Sequence, residues 1–234
     1  MQTALLDNVV HADLRLRRAS GAIHGDPCGQ VEILLPEIPQ IQREFPILFS
    51  KNSEGAFRPL AILGLEPQEL LFERDSQWDA RYVPALIRKG PFLLGTSGSD
   101  DPVVHVILDH PKITDDERSS DPLFLPHGGH APALENALDA LRLVHTGLES
   151  TSQMSKVLDE AGLIRPLPLN VQVSETKTVK FGNFHAILPE TLRNLAEEKV
   201  LELNRSGFLQ SAILIAHSLG NMNDLVRRKR MRES

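Results

Sequence analysis

The feature that most limits how this chain can fold is a change in the spacing of its apolar residues. Up to about residue 110 they come in short runs with a period near two; beyond about residue 133 they recur every three or four positions. In "HADLRLRR" (11–18), Ala12, Leu14 and Leu16 fall on one side and His11, Asp13, Arg15 and Arg17 on the other, as in a half-buried strand. "QVEILLP", "PILFS", "RPLAILGL", "ELLFER", "PFLLGT" and "VVHVILD" are further strand candidates, most of them bounded by Gly, Pro, Asn or Asp. The prolines of "EIPQIQREFP" leave room for about two helical turns. "DARYVPALIRKGP" reads as a loop with a helical turn on either side of Pro84. The pattern predicts an α+β chain: a β-rich half, 1–110, of mainly antiparallel strands, packed with C-terminal helices and one hairpin over 133–234. Residues 111–132, "PKITDDERSSDPLFLPHGGHAP", are polar and turn-rich and predict a loop or flap. The whole of 1–234 is expected to be one domain.

In the helical half, Leu134, Leu138, Leu141, His145 and Leu148 define one stripe, with His145 as a core histidine. A second helix is expected from Ser152 to Ala161, with Met154, Val157 and Leu158 inward and Gly162 as its stop. Leu169, Val171 and Val173 alternate, "SETK" turns the chain, and Val179 and Phe181 return it as a hairpin. "PETLRNL" and "EEKVLELNRSG" are helical, the latter closing at Gly207 with Glu197 and Glu198 in its first turn. A long final helix follows, with Phe208, Ala212, Ile215, Ala216, Leu219, Met222 and Val226 as its buried stripe. Leu209, Ile213 and Leu214 widen its apolar surface, so this helix is the expected interface for a homo-oligomer or a protein partner.

Composition excludes several classes. A chain of 234 residues buries a sizeable core without staples, and with only 5% aromatics that core must be largely aliphatic. One cysteine, Cys28, permits neither an intramolecular disulfide nor a cysteine-built zinc site. A net charge of −6 argues against a nucleic-acid binder driven by phosphate contacts. "RRKRMR" (227–232) is a local exception and reads as a solvated, frayed helix end, with an anionic surface or partner as the lesser reading. No secretory signal pattern opens the sequence, and "SAILIAHSLG" is far shorter than a membrane span, so a cytoplasmic, soluble protein is expected.

The sharpest catalytic signal is "ILIAHSLGN" (213–221), which imitates the nucleophile elbow of an α/β-hydrolase. That elbow needs the acid and the histidine to follow the serine, and the last histidine, His217, precedes Ser218. Helical spacing instead puts Ser218 on the flank of the final helix and His217 on its back. His105, Asp109, His127 and His130 are the candidate metal ligands; solvated loop histidines with a strand-end carboxylate are the plainer account. His11 and Asp13 form an H-x-D pair, but Arg15 offers Asp13 an ordinary ion pair. "GTSGSDD" (95–101) lacks a phosphate-loop lysine and reads as a turn. Trp78, Arg81, Tyr82 and Arg88 are the candidate ligand-binding group, because guanidinium forks suit carboxylate or phosphate. The competing reading is a packed aromatic cluster with solvated arginines. No catalytic residue and no cofactor is expected.

Taken in order, several stretches resemble the SapC family of bacterial proteins: "HADLRL" (11–16), "REFPILFS" (43–50), "LAILGLEPQELLF" (60–72), "WDARYVPALIRKGPF" (78–92) and "LNRSGFLQSAILIAHSLGNMNDL" (203–225). The most specific is 78–92, where Trp78, Tyr82, Pro84, Arg88, Pro91 and Phe92 stand in the family's order. The resemblance is weakest at "FLPHGGHAPAL", so a metal site on His127 or His130 would be peculiar to this chain. Gly90 replaces an expected aromatic, which predicts looser packing around Phe92. The resemblance implies a bacterial, intracellular accessory or binding protein linked to surface-layer or outer-membrane uptake systems. It brings no catalytic residue with it. The alternative is a small-molecule or metal-dependent enzyme with a pocket near Trp78–Arg88 or at the histidines named above.

Overall fold

A computed structural model describes residues 2–96, 102–172 and 178–233. The chain forms two compact units, each assembled from separated segments. The first comprises Met1–Pro27, Phe72–Asp79 and Ala85–His145; the second comprises Cys28–Leu71, Ala80–Pro84 and Thr146–Ser234. As expected, the secondary structure is α+β with antiparallel sheets.

In the first unit, the strand Pro102–Ile107 lies between Thr3–Leu5 and Phe92–Thr96, with His105 opposite both Leu5 and Leu93. A second small sheet places Arg15–Arg17 between Ile113–Thr114 and Ser120–Pro122. Phe92, Val106, Leu123, Phe124, Leu134 and Leu141 close the core, with Leu14, Leu16 and Ile113 partly buried against it. Phe92 is fully buried. Gly90 adopts φ 53°, a left-handed conformation that ends the helical turn Ala85–Arg88 without a Cβ penalty. Helix follows Pro84 but does not precede it.

Residues 111–132 hold two short strands, Ile113–Thr114 and Ser120–Pro122, and a 3-10 turn at Glu117–Ser119. Their polar side chains serve the arginine-rich strand: Arg15 Nε donates to Ser120 Oγ (3.0 Å), Arg17 Nη2 to Thr114 Oγ1 (3.1 Å), and Arg18 pairs with Asp121 (2.9 Å). His11 and Asp13 lie in a turn rather than on a strand face. There Asp7 accepts the N–H groups of Val9 and Val10, and His11 Nδ1 accepts that of Asp7. Lys112 and Asp26 form an ion pair at 2.5 Å with both side chains nearly buried.

The second unit is built on a five-stranded antiparallel sheet in the order Ile164–Pro166, His185–Ile187, Ile47–Lys51, Phe57–Ile62, Gln30–Glu32. Ile47, Leu48 and Phe49 are all fully buried although they point alternately to opposite faces. Both faces of this sheet are therefore covered, which is why its sequence reads as a continuous apolar run. The helix Leu209–Ser218 contacts the strands Ile47–Lys51 and His185–Ile187.

The two helices expected over 134–161 are one, Pro132–Glu160, of 29 residues. Its buried face passes through Gly147, Thr151 and Ser155; His145 and Leu148, placed inward by the apolar pattern, are exposed. A Cβ on Gly147 would lie 3.1 Å from Leu34 Cβ, and Thr151 Oγ1 accepts the Leu35 N–H at 2.8 Å. The segment at Leu34 thus approaches the helix more closely than a side chain at position 147 would allow without a shift. Met154 and Leu158 are buried as expected, and Val157 is half-buried.

Both predicted glycine stops hold. Leu163 N–H bonds Leu158 C=O while Gly162 N–H bonds Asp159 C=O, and Phe208 and Gly207 repeat the pattern with Leu203 and Asn204. These are Schellman closures, with Gly162 at φ 72° and Gly207 at φ 79°. The hairpin pairs Leu169–Gln172 with Thr178–Phe181; Val173 and its "SETK" turn lie outside the described residues, as does most of "GTSGSDD". The final helix runs Leu209–Ser218, tightens to a 3-10 turn at Leu219–Asn221, and continues as Met222–Glu233.

Candidate functional site

The 3-10 turn sets the geometry of the last helix. Three residues at about 120° each rotate the following turns by roughly 60° relative to an uninterrupted α-helix. Met222 and Val226, inward by simple extrapolation, become half-buried, while Leu225 and Lys229 become the buried positions.

Ser218 sits just before that turn and is fully buried, not on the flank. Its Oγ accepts the Ile47 N–H at 2.9 Å and donates to Ile215 C=O at 2.6 Å. Asn221 Nδ2 donates to the carbonyls of Gln42 (2.8 Å) and Phe45 (3.1 Å). The "HSLGN" stretch therefore satisfies backbone groups where the chain enters the strand at Ile47, and His217 points to solvent. This is a structural serine.

The basic tail is not a frayed end. Lys229 is enclosed by Glu69 (2.6 Å), Glu66 (3.3 Å) and Glu233 (3.3 Å), with 8% of its side chain exposed. Burial pulls its pKa down, but the hydrogen bonds and charges of these carboxylates outweigh that and hold it above the ordinary lysine value. Glu69 is itself fixed: its second oxygen accepts the Leu65 N–H, and its carbonyl accepts the Gly29 N–H. Gly64 must be glycine here, because a Cβ would fall 2.3 Å from the Glu69 carbonyl oxygen. Arg228 donates to Leu71 C=O at 3.4 Å and Arg230 to Gln172 C=O at 3.2 Å.

Between this helix and the hairpin strand Leu169–Gln172 lies an open cleft of about 590 Å³. Val171, Met222, Val226 and Met231 give it apolar walls, and Arg227 and Arg230 line it as cations. A concave site with apolar lining and a few charged groups has the ordinary make-up of a binding site. The apolar pattern hid it, since both Met222 and Val226 read as core; only the lesser reading of the basic run 227–232 as a contact for an anionic partner touched its lining.

The residues singled out in the sequence are distributed differently. Trp78 belongs to the first unit and stacks on Phe72 with ring centroids 6.4 Å apart. Arg88 also belongs to the first unit and is half-buried. Arg81 and Tyr82 belong to the second. Tyr82 O–H donates to Glu37 Oε1 at 3.0 Å, and Glu37 in turn accepts the Leu34 N–H, so the tyrosine braces a buried carboxylate. Arg81 has an exposed side chain, and its backbone N–H donates to Glu44.

The four candidate ligands all lie in the first unit. His105 lies over Gly95, where a Cβ would come within 2.7 Å of its ring. Asp109 accepts the Gln2 N–H, which holds its carboxyl below the usual range. His127 is exposed, and His130 lies beside Phe124 with centroids 6.1 Å apart. Among the described residues, no three His, Cys, Asp or Glu side chains come together as a metal-holding group. Of the expected interface residues, Ile213 is 41% exposed and Leu209 and Leu214 are half-buried.

Among the described residues no helix is long and apolar enough to cross a membrane. No curated protein and no solved structure matches the chain. The SapC family model matches residues 6–225, nearly the full length, and the chain belongs to the SapC family.

Proposed function

We propose that this SapC-family protein is a cytoplasmic accessory protein that acts by binding other protein chains, its own copy first among them, rather than by catalytic turnover. One observation carries the reading. The helix Leu209–Ser218 is fixed inward by Ala212, Ile215, Ala216 and the doubly bonded Ser218, while Ile213 stands 41% exposed between half-buried Leu209 and Leu214. A rigid helix with an apolar outer edge is a ready contact for a second helix. Membership of the family supports partners drawn from surface-layer or outer-membrane uptake systems.

Size-exclusion chromatography with light scattering tests this at micromolar concentration. The expected result is a dimer or larger for the natural chain and a monomer for Ile213→Glu with unchanged thermal stability. A natural chain that is monomeric throughout would overturn self-association.

A further inference from the structure

We infer that a recess of the second unit binds a free α-amino acid with a large apolar side chain. The ammonium of the ligand faces Glu66, its carboxylate faces Lys180, and its side chain lies on Ile62, Leu65 and Phe184. The site is separate from the helix edge at Ile213, so it adds a small ligand to the protein contacts proposed above.

Charge placement is the first argument. The recess has a volume of about 350 Å³, and every residue lining it belongs to the second unit. Its lining carries one ammonium, Lys180 on the strand Thr178–Phe181, and one carboxylate, Glu66 in the loop after Phe57–Ile62. Among the described residues Lys180 forms no ion pair, so the two opposite charges border the same space without meeting. Glu66 is 3.3 Å from Lys229, which Glu69 and Glu233 also face. Two ammoniums therefore stand against three carboxylates, a balance that gives an anion no advantage. A cation would gain from Glu66 but would leave Lys180 unanswered. A zwitterion meets both charges and adds no net charge of its own. A carboxylate accepts at about four lone-pair positions, so Glu66 can serve an ammonium alongside its existing partners.

Shape is the second argument. Ile62 and Leu65 are buried and supply apolar wall, with half-buried Phe184 beside them. The backbone behind that wall is tied internally. Gly29 C=O accepts the N–H groups of Leu63 (2.8 Å) and Gly64 (3.1 Å), and the Leu65 N–H donates to Glu69 at 2.9 Å. The wall is thus fixed before a ligand arrives, which limits the ordering cost of binding. The volume lies at the lower end of small-ligand sites, about 300–1,000 Å³, so it suits a single amino acid rather than a folded segment. Gly29 and Gly64 are held against backbone carbonyls, but a Cβ on Gly182 would meet no atom within 4 Å. Glycine at 182 therefore leaves open space beside the recess that internal packing does not require.

The test is calorimetric titration of the full chain with L-phenylalanine. Phenylalanine amide lacks the carboxylate, N-acetylphenylalanine lacks the ammonium, and glycine lacks the apolar body. Phenylalanine is expected to bind saturably, and each analogue at least about tenfold more weakly. Lys180→Met is expected to weaken phenylalanine about tenfold and to leave the amide unchanged. Glu66→Gln should weaken phenylalanine and leave the N-acetyl compound unchanged. Gly182→Leu should abolish binding at an unaltered melting temperature. Should Glu66→Gln melt early, Lys180→Met decides, because Lys180 is exposed and holds no partner that its loss would strand. Absence of saturable binding overturns the proposal, as does undiminished binding by Lys180→Met. Equal binding of N-acetylphenylalanine would make this a carboxylate site, and equal binding of the amide an amine site; either result also overturns it. The light-scattering behaviour of Ile213→Glu does not depend on this recess, so failure here leaves self-association standing.

Discussion

The two units close their cores by different means. In the second, strands buried on both faces place Ile47, Leu48 and Phe49 entirely out of water, and the buried polar residues Glu37, Thr151, Ser155, Ser218 and Lys229 lie on the elements around these strands. In the first, the buried residues are ringed by half-buried neighbours such as Leu14, Leu16 and Ile113. Polar ties do much of the holding there: the arginine strand to Thr114 and Ser120, Asp7 to its own turn, Lys112 to Asp26. The difference teaches where each unit is vulnerable. An apolar interior fails by cavity formation, whereas a paired polar interior fails when one partner is removed and the other is left uncompensated.

The comparison can be broken most forcefully in the second unit. Phe49→Ala removes a fully buried ring that meets Phe57 edge-on at 6.4 Å. It is expected to cost about 3–5 kcal/mol by denaturant titration. In the first unit, Asp26→Ala strands a nearly buried ammonium and is expected to cost about 3 kcal/mol. The double variant Asp26→Ala/Lys112→Met should recover part of that loss. If it recovers nothing, the pair is not what holds this unit. Ser218→Ala leaves the Ile47 N–H buried without its acceptor, so about 1–3 kcal/mol is expected, with the fold preserved.

The smallest effect is shared. Burial first, then Lys112 for His110 and Lys51 for His185, pushes both imidazoles below the ordinary histidine value. The unfolded chain then binds more protons than the folded one at mildly acid pH. The stability this confers is present above about pH 6.5 and lost as pH falls through and below it. Denaturant midpoints should fall between about pH 7 and pH 5. His110→Gln/His185→Gln should flatten that slope, and an unchanged slope would assign the acid sensitivity elsewhere.

What was legible in the sequence follows from what is local. Gly162 and Gly207 announce helix ends because the stop needs a left-handed residue, and the hairpin announces itself by alternation. The arginine strand was legible, but its partners were not: Ile113–Thr114 and Ser120–Pro122 are too short and too polar to carry a period. The helix Pro132–Glu160 reads as two because its apolar stripe runs out at Leu148, and Gly147 and Thr151 show their place on the buried face only once Leu34 and Leu35 are brought against them. Ser218 looked like a flank residue because no periodicity reports an N–H 171 positions away. Lys229 was hidden in a run of like charges, and the cleft depended on a 3-10 turn that shifts the helix phase by a fraction of a turn.

The segmental make-up of the second unit also sets an order of events during synthesis. Three of its strands, Gln30–Glu32, Ile47–Lys51 and Phe57–Ile62, are made before Leu209–Ser218, which contacts one of them and comes roughly 150 residues later. At about 5–20 residues per second, a nascent chain holds those apolar strands without that helix for about 8–30 s. The acceptor that Ile47 uses does not yet exist in that interval, so the growing chain must be kept from pairing its strands with a neighbour's until Ser218 has been added.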